Sequence, residues 1–259
     1  MVSEFSHSLG KRGYMENESS ETIDRVAYEG NNLQFIFIAY TLIYIGSLFF
    51  RLENEAEHWP TMVLIPLAIL LLVQRQSTLK TTAIALIRTL GLSLDGLRKG
   101  FLVGAAVGIP MSVFQLYYSE RSDSIFAILG SSKVFIVLPM TFVLMLFTAG
   151  FTEEFLFRGV LQNAIGRLVK SNILTVLMSS LVFGLYHLPY AYLHPNWPSH
   201  GDLAWAFRSA MGQGMIGGII FGGIYVGTKR NLWATVFAHT FVNLLPAMTM
   251  LKMGGPHQQ

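Results

Sequence analysis

Residues 150–159 read Gly-Phe-Thr-Glu-Glu-Phe-Leu-Phe-Arg-Gly and place three charges, Glu153, Glu154 and Arg158, inside an otherwise apolar region. The apolar run Val134–Ala149 precedes this stretch, and another begins at Ile173. A charged side chain at the centre of a bilayer costs about 2.5–3.5 kcal/mol on insertion scales, so such residues are usually paired or functional. The alternative is a turn at the membrane interface, where water solvates all three charges.

The composition indicates a membrane protein. Of the 259 residues 52% are hydrophobic and 13% charged, whereas soluble domains carry about 25% charged residues. Because the chain has no cysteine, disulfides, thiolate metal sites and cysteine nucleophiles are excluded. The net charge of +3 is small, and no basic face is visible, so we expect no nucleic-acid partner.

Successive apolar segments predict an all-α, polytopic transmembrane helix bundle of seven to eight spans. The predicted spans are Leu33–Phe50, Thr61–Val73, Phe101–Tyr118, Val134–Leu168, Ile173–Leu193, Leu203–Val226 and Leu232–Leu251. The fourth is either one long helix or two segments broken near Gly150. An eighth span could come from Thr82–Leu92, which could otherwise lie in the interface, and residues 119–133 are predicted to form a loop.

The chain is predicted to form one domain. Residues 32–252 make up a single transmembrane helical domain, preceded by a polar and mobile amino-terminal tail at 1–31 and followed by a short polar tail at 253–259. The first residues do not resemble a signal peptide. We therefore expect an integral, multi-pass protein of the cell membrane.

Glycines recur every four residues in two of the predicted spans. Gly104 and Gly108 form one such pair, and Gly214, Gly218 and Gly222 form a stripe on one face of another helix. Small residues at this spacing allow helix backbones to approach closely in membranes. The stripe predicts a tightly packed, central helix.

Polar residues on three predicted helices are spaced one turn apart. Residues at i and i+4 share a helix face, so Arg158 can form a salt bridge with Glu154 while Glu153, about 100° further round the helix, faces another partner. His187 follows Phe183 by four residues, and Asn243 follows His239 by four. A lone membrane histidine is most often a packed core residue, so neither pair is informative alone.

A predicted turn near Lys170 places Glu153 and His187 at the same depth. Each lies 17 residues from the turn, and equal distances mean equal depth in an antiparallel hairpin. At 1.5 Å per residue this distance is about 25 Å. Lys and Arg are concentrated on the side of the amino terminus and of this turn, which predicts that both are cytoplasmic. The two residues then lie near the outer side, unless the hairpin projects well into the cytoplasm or the count of seven spans is off by one.

Three short motifs resemble those of a known family, the CPBP family of CAAX proteases and bacteriocin-processing enzymes, also called the Abi family. They are Glu153-Glu154-x-x-x-Arg158, Phe183-x-x-x-His187 and His239-x-x-x-Asn243. Each motif alone is weakly specific, but all three occur in order on predicted membrane helices. The resemblance covers residues 134–250.

The family resemblance implies an intramembrane glutamic endopeptidase that needs no metal or other cofactor. Glu153 would be the general base that activates water, His187 would hold or polarise that water, and His239 and Asn243 would stabilise the oxyanion. Losing one oxyanion donor costs roughly 100- to 1000-fold in rate. The implied supporting residues are Glu154, Arg158 and Phe183. The implied partners are membrane lipid and a peptide or prenylated protein substrate, whereas the oligomeric state is not predicted.

Other readings of the same residues stay open. Glu153, His187 and His239 could form a His₂Glu zinc site of a metalloprotease, although the chain has no His-Glu-x-x-His motif. The chain could instead be a non-enzymatic scaffold or a bacteriocin-immunity-type protein. A proton-coupled transporter is a further alternative, weakened by the lack of an internal repeat. No Gly-x-Ser-x-Gly motif supports a serine protease.

Overall fold

The computed structural model describes residues 32–54, 57–73, 87–119 and 121–249, and these residues form helices and connections without a strand. We number the helices α1 to α8. Their bounds are α1, Leu33–Leu48; α2, Trp59–Leu64 and Ile65–Val73; α3, Leu97–Tyr117; α4, Ser122–Leu129; α5, Val134–Met145 continuing to Asn163–Val169; α6, Asn172–Leu193; α7, Leu203–Ser209 continuing to Ile216–Gly227; and α8, Leu232–Ala247. The all-α prediction is confirmed for the described residues.

Within the described residues, four helical segments are long and apolar enough to cross a membrane. They are Ile87–Tyr117, Val134–Val169, Asn172–Leu193 and Leu203–Gly227. Three shorter apolar helices accompany them within the described residues, at Leu33–Leu48, Trp59–Leu72 and Leu232–Ala247. The predicted count of seven to eight spans is therefore not confirmed, because three of the predicted spans form helices below the usual spanning length.

Two further predictions can be compared with the observed bounds of the helices. The predicted loop at 119–133 contains the short helix α4, because Ile125 is apolar and buries fully in a cluster with Leu116 and Met248. The long segment that begins at Val134 continues to Val169, so the single-helix alternative is confirmed. The predicted tails at 1–31 and 253–259, and residues 82–86 of the predicted segment 82–92, lie outside the described residues.

Helices α3 and α8 pack closely along their length. Ideal Cβ atoms on Gly100, Gly104 and Gly108 would lie 2.7, 2.5 and 2.6 Å from the Cβ atoms of Trp233, Phe237 and Phe241, respectively. Side chains larger than hydrogen therefore do not fit at these three positions. The numbering rises on both helices from one contact to the next, so the two helices are parallel. This confirms the close packing predicted from Gly104 and Gly108.

Helices α5 and α6 form an antiparallel hairpin whose register can be read from two contacts. The Ser179 hydroxyl donates to Gln162 Oε1 over 3.3 Å, and Arg158 Cζ lies 4.2 Å from the centroid of the Phe183 ring. One helical turn further along both helices, the same register brings Glu154 opposite His187. Glu153 precedes Glu154 directly, so this register supports the prediction that Glu153 and His187 lie at one depth.

Helix α7 packs against this hairpin through its glycine stripe. An ideal Cβ on Gly214 would lie 2.9 Å from His187 Nδ1, and one on Gly218 would lie 3.0 Å from Ser180 Cα. At Gly222 the nearest atom is Gln162 Oε1, also at 3.0 Å. The stripe thus brings α7 against both α5 and α6, as predicted for a tightly packed helix.

The turn between α5 and α6 projects past the start of α8. Leu232, the first residue of α8, packs beside Gly159, since its Cδ2 would lie 3.5 Å from a Cβ there. The remainder of α5 therefore extends beyond α8. His239 lies seven residues into α8, or about 10 Å from its start. The glutamates are thus level with the middle of α8.

Candidate active site

The two glutamates occupy a single α-helical turn between two π-helical stretches of α5. The turn is Phe151–Glu154, and the π-helical stretches are Leu146–Gly150 and Phe155–Gln162. A π-helical turn leaves main-chain groups unbonded within the helix and is frequent at functional sites. Here the indole of Trp59 donates to the carbonyl of Phe147 over 2.9 Å. The glutamates therefore lie where the α-helical hydrogen-bond pattern is interrupted on both sides.

Glu154 lies at the centre of a buried polar network. Its Oε1 atom accepts a hydrogen bond from Arg158 Nη1 over 2.9 Å and another from His239 Nδ1 over 2.8 Å. Glu154 is fully buried, and Arg158 and His239 are buried beside it. The Glu154–Arg158 salt bridge predicted from the spacing is confirmed. The bond to His239 joins α5 to α8 across 85 residues of sequence.

The hydrogen bond between His239 and Glu154 also determines which ring nitrogen of His239 carries a hydrogen. An ionised carboxylate accepts but cannot donate, so Nδ1 of His239 carries the hydrogen. The other ring nitrogen, Nε2, lies 3.9 Å from Oε2 of Glu153. His239 therefore stands between the two glutamates, with one ring nitrogen directed to each.

Arg158 is held on three sides. Besides its bond to Glu154, its Nη2 donates to the carbonyl of Gly218 over 3.3 Å. Its guanidinium lies over the face of Phe183, with Cζ 4.2 Å from the ring centroid. Cation–π contacts of this kind contribute about 2 kcal/mol when both groups are desolvated. The Phe183 ring thus packs directly on the Arg158 guanidinium.

His187 is half-buried and also has a defined proton. Its Nδ1 lies 2.8 Å from the carbonyl oxygen of Phe183, which can only accept, so Nδ1 donates. In the neutral ring the lone pair then belongs to Nε2. His187 can therefore accept a hydrogen bond or a proton from water at Nε2.

Asn243 lies one turn beyond His239 on α8. It is half-buried, and its side chain makes no hydrogen bond within the described residues. Its amide keeps two donors whatever the pH. Asn243 is thus available to donate to a substrate.

The geometry gives no support to a zinc site. Among the residues that the structure describes, no three His, Asp or Glu side chains are grouped so that they could hold a metal ion. This includes Glu153, His187 and His239, which the sequence had left open as a His₂Glu set. The pair of nitrogens on His239 is instead directed at the two carboxylates.

Two residues of α7 belong to the network but were not predicted. They are Gly218, whose carbonyl accepts from Arg158, and Phe221, whose ring stacks on His239 with centroids 4.9 Å apart. The glycine stripe did predict that α7 packs centrally. Nothing in the sequence indicates which ring on that helix faces the histidine, because this depends on how α7 and α8 are rotated.

All three motifs therefore meet at one place. Glu154 and His239 join the first motif to the third, and Arg158 and Phe183 join the first to the second. The rings of Phe183 and His239, 6.0 Å apart and nearly perpendicular, join the second to the third.

A comparison with protein families gives a match in the part of the chain that contains the three motifs. The family described as "Type II CAAX prenyl endopeptidase Rce1-like" matches residues 134–245, which contain all three motifs. No curated protein and no solved structure matches the chain. The four long apolar helices of the described residues indicate an integral membrane protein, and the family match covers the part of the chain that contains the three motifs. Within residues 134–245, the chain is similar to the Rce1-like type II CAAX prenyl endopeptidases.

Proposed function

We propose that this protein is a multi-pass intramembrane endopeptidase of the cell membrane that hydrolyses a peptide bond with water activated by Glu153. Its substrate is a peptide or a protein with a prenylated Cys-a-a-X tail. The observation that carries the proposal is the convergence of the three motifs on one buried network, in which every motif contacts the other two.

Glu153 is the general base in this mechanism. It removes a proton from water while the water oxygen attacks the carbonyl carbon of the scissile bond, and a tetrahedral intermediate forms. The same proton is then delivered to the leaving nitrogen as the carbon–nitrogen bond breaks. His187 accepts a hydrogen bond from the attacking water at Nε2, the nitrogen left without a proton by the bond to Phe183.

His239 and Asn243 stabilise the oxyanion of the intermediate. The oxyanion needs donors, and Nδ1 of His239 already donates to Glu154. Nε2 is therefore the ring nitrogen of His239 that faces the oxyanion in this role. Asn243 supplies an uncharged N–H donor on the same face of α8, one turn away.

Glu154 and Arg158 have a supporting role. Arg158 balances the charge of Glu154, and Glu154 fixes the orientation of His239 through Nδ1. A buried carboxylate without its cation would be strongly unfavourable, so the pair is required for folding as well as for geometry.

The test is cleavage of a fluorogenic farnesylated peptide by purified protein in detergent. Wild type and Glu153→Gln are compared, each with and without a strong zinc chelator, and a matched peptide without the farnesyl group is run beside them. We expect chelator-resistant cleavage of the farnesylated peptide that is lost in Glu153→Gln. Cleavage retained in that variant overturns the assignment of Glu153, and cleavage abolished by the chelator supports a metal mechanism.

A further inference from the structure

Phe221 lies on α7 at the point where this helix comes closest to the polar network. Its ring is 2% exposed. The two glycines on either side of it, Gly218 and Gly222, place α7 directly against Ser180 and Gln162. The carbonyl of Gly218 accepts from Arg158, which ties this part of the helix to the network.

The Phe221 ring lies flat against the imidazole of His239. The two centroids are 4.9 Å apart and the planes differ by 24°, so the rings are stacked. Arg158 Cζ lies 5.4 Å from the Phe221 centroid but only 4.2 Å from that of Phe183. Phe183 meets His239 edge to face, at 85°. Phe183 therefore serves mainly Arg158, and Phe221 is the ring that faces His239.

Stacking supplies a constraint that the hydrogen bond to Glu154 does not. The χ2 torsion of histidine is broad, so a ring held at Nδ1 alone can still tilt. A tilt moves Nε2, which lies 3.9 Å from Glu153 Oε2. A flat aromatic neighbour restricts the tilt, and such a contact also attracts the imidazolium form. The charged or titratable groups that surround His239 are Glu153, Glu154 and Arg158 on α5 and His187 on α6.

We propose that Phe221 is a positioning residue that sets the ring plane of His239, so that Nε2 stays directed at the reacting atoms while Nδ1 stays bonded to Glu154. Its effect on turnover rests on the proposed function, whereas the stacking itself does not. Phe221 touches neither water nor substrate in this role and acts only through His239.

The experiment compares Phe221→Leu, which removes the aromatic face, with Phe221→Tyr, which keeps it. Phe237→Leu is the matched control, because Phe237 is also a buried ring but contacts Phe101 and Trp233 away from the network. The first measurement is the NMR spectrum of histidine-labelled protein in detergent, with the His239 signals assigned by His239→Gln. The second is kcat and KM for the cleaved peptide.

We expect the His239 ring signals to move downfield in Phe221→Leu, because the ring-current shielding is lost, and to stay shielded in Phe221→Tyr and in Phe237→Leu. We expect kcat to fall about 3- to 10-fold in Phe221→Leu, with KM within about twofold and with recovery in Phe221→Tyr. Unmoved His239 signals in Phe221→Leu overturn the stacking, and moved signals with unchanged kcat overturn the positioning role. If wild type cleaves no peptide, the proposed function fails and the NMR comparison still decides the stacking.

Discussion

On one side of α8, His239 donates to a buried carboxylate and stacks on an aromatic ring, whereas on the other side three glycines of α3 let two backbones touch. The first side lies within residues 134–245, which match the family, and uses polar groups that must each find a partner. The second side involves α3, which lies outside those residues, and it depends on glycines, whose lack of a side chain lets the two helices approach closely.

The difference indicates that two kinds of interaction position His239, one on each side of α8. Charge and hydrogen bonding fix the orientation of its ring, while steric contact with α3 fixes the height and rotation of the helix that carries it. Substitutions on the polar side and on the glycine side of α8 should therefore have different consequences. Damage to the polar side affects chemistry and stability together, and damage to the glycine side moves the helix as a body.

The largest loss of stability is expected from Arg158→Ala. The substitution leaves Glu154 buried without its cation, and breaking a buried ion pair in this way costs about 3–5 kcal/mol. We expect a marked drop in Tm and in the yield of folded protein. The matched control is Arg98→Ala, since Arg98 is exposed near the start of α3. A wild-type Tm for Arg158→Ala would show that the pair does not hold the network together.

Asn243→Ala is expected to affect turnover rather than stability. Loss of one oxyanion donor lowers kcat by roughly 100- to 1000-fold, with a modest change in KM. Because the side chain makes no hydrogen bond within the described residues, Tm should stay near that of wild type. Asn243→Asp keeps the shape but loses the N–H donors, so it should be as slow as the alanine variant. A fast aspartate variant contradicts the donor role.

On the glycine side, Gly104→Ala should lower stability by about 1–3 kcal/mol, because the added Cβ would meet Phe237 Cβ at 2.5 Å and force α3 and α8 apart. Gly223→Ala is the matched control, since nothing lies within 4 Å of a Cβ at that position. The control should be neutral or slightly stabilising, because alanine favours helix more than glycine. Equal Tm values for the two variants would contradict close packing on this side.

Contacts within one helix or one hairpin could be predicted from the sequence. The pairing of Arg158 with Glu154 follows from their spacing, and the common depth of Glu153 and His187 follows from their equal distances to the turn. The close approach of α3 was predicted from Gly104 and Gly108, although its partner was not. These inferences need only the 3.6-residue period of the helix and the position of a turn.

Contacts between distant helices could not be predicted. The bond from His239 to Glu154 and the stacking of Phe221 depend on how α5, α7 and α8 are rotated about their axes, which the sequence pattern does not specify. Neither could the projection of the α5–α6 hairpin, because hydropathy gives the length of an apolar segment but not its height relative to its neighbours. The number of spans was likewise not confirmed, since apolar helices of 10–17 residues are shorter than a bilayer normally requires.

The central claim is that the two adjacent glutamates have separate roles, with Glu153 in the chemistry and Glu154 in holding His239 and Arg158. The most direct measurement is kcat and Tm for Glu153→Gln and Glu154→Gln side by side, with the farnesylated peptide as substrate. We predict that Glu153→Gln abolishes cleavage at a wild-type Tm, whereas Glu154→Gln lowers Tm and leaves residual cleavage. An active Glu153→Gln protein, or a Glu154→Gln protein that is stable and fully inactive, would contradict this division of roles.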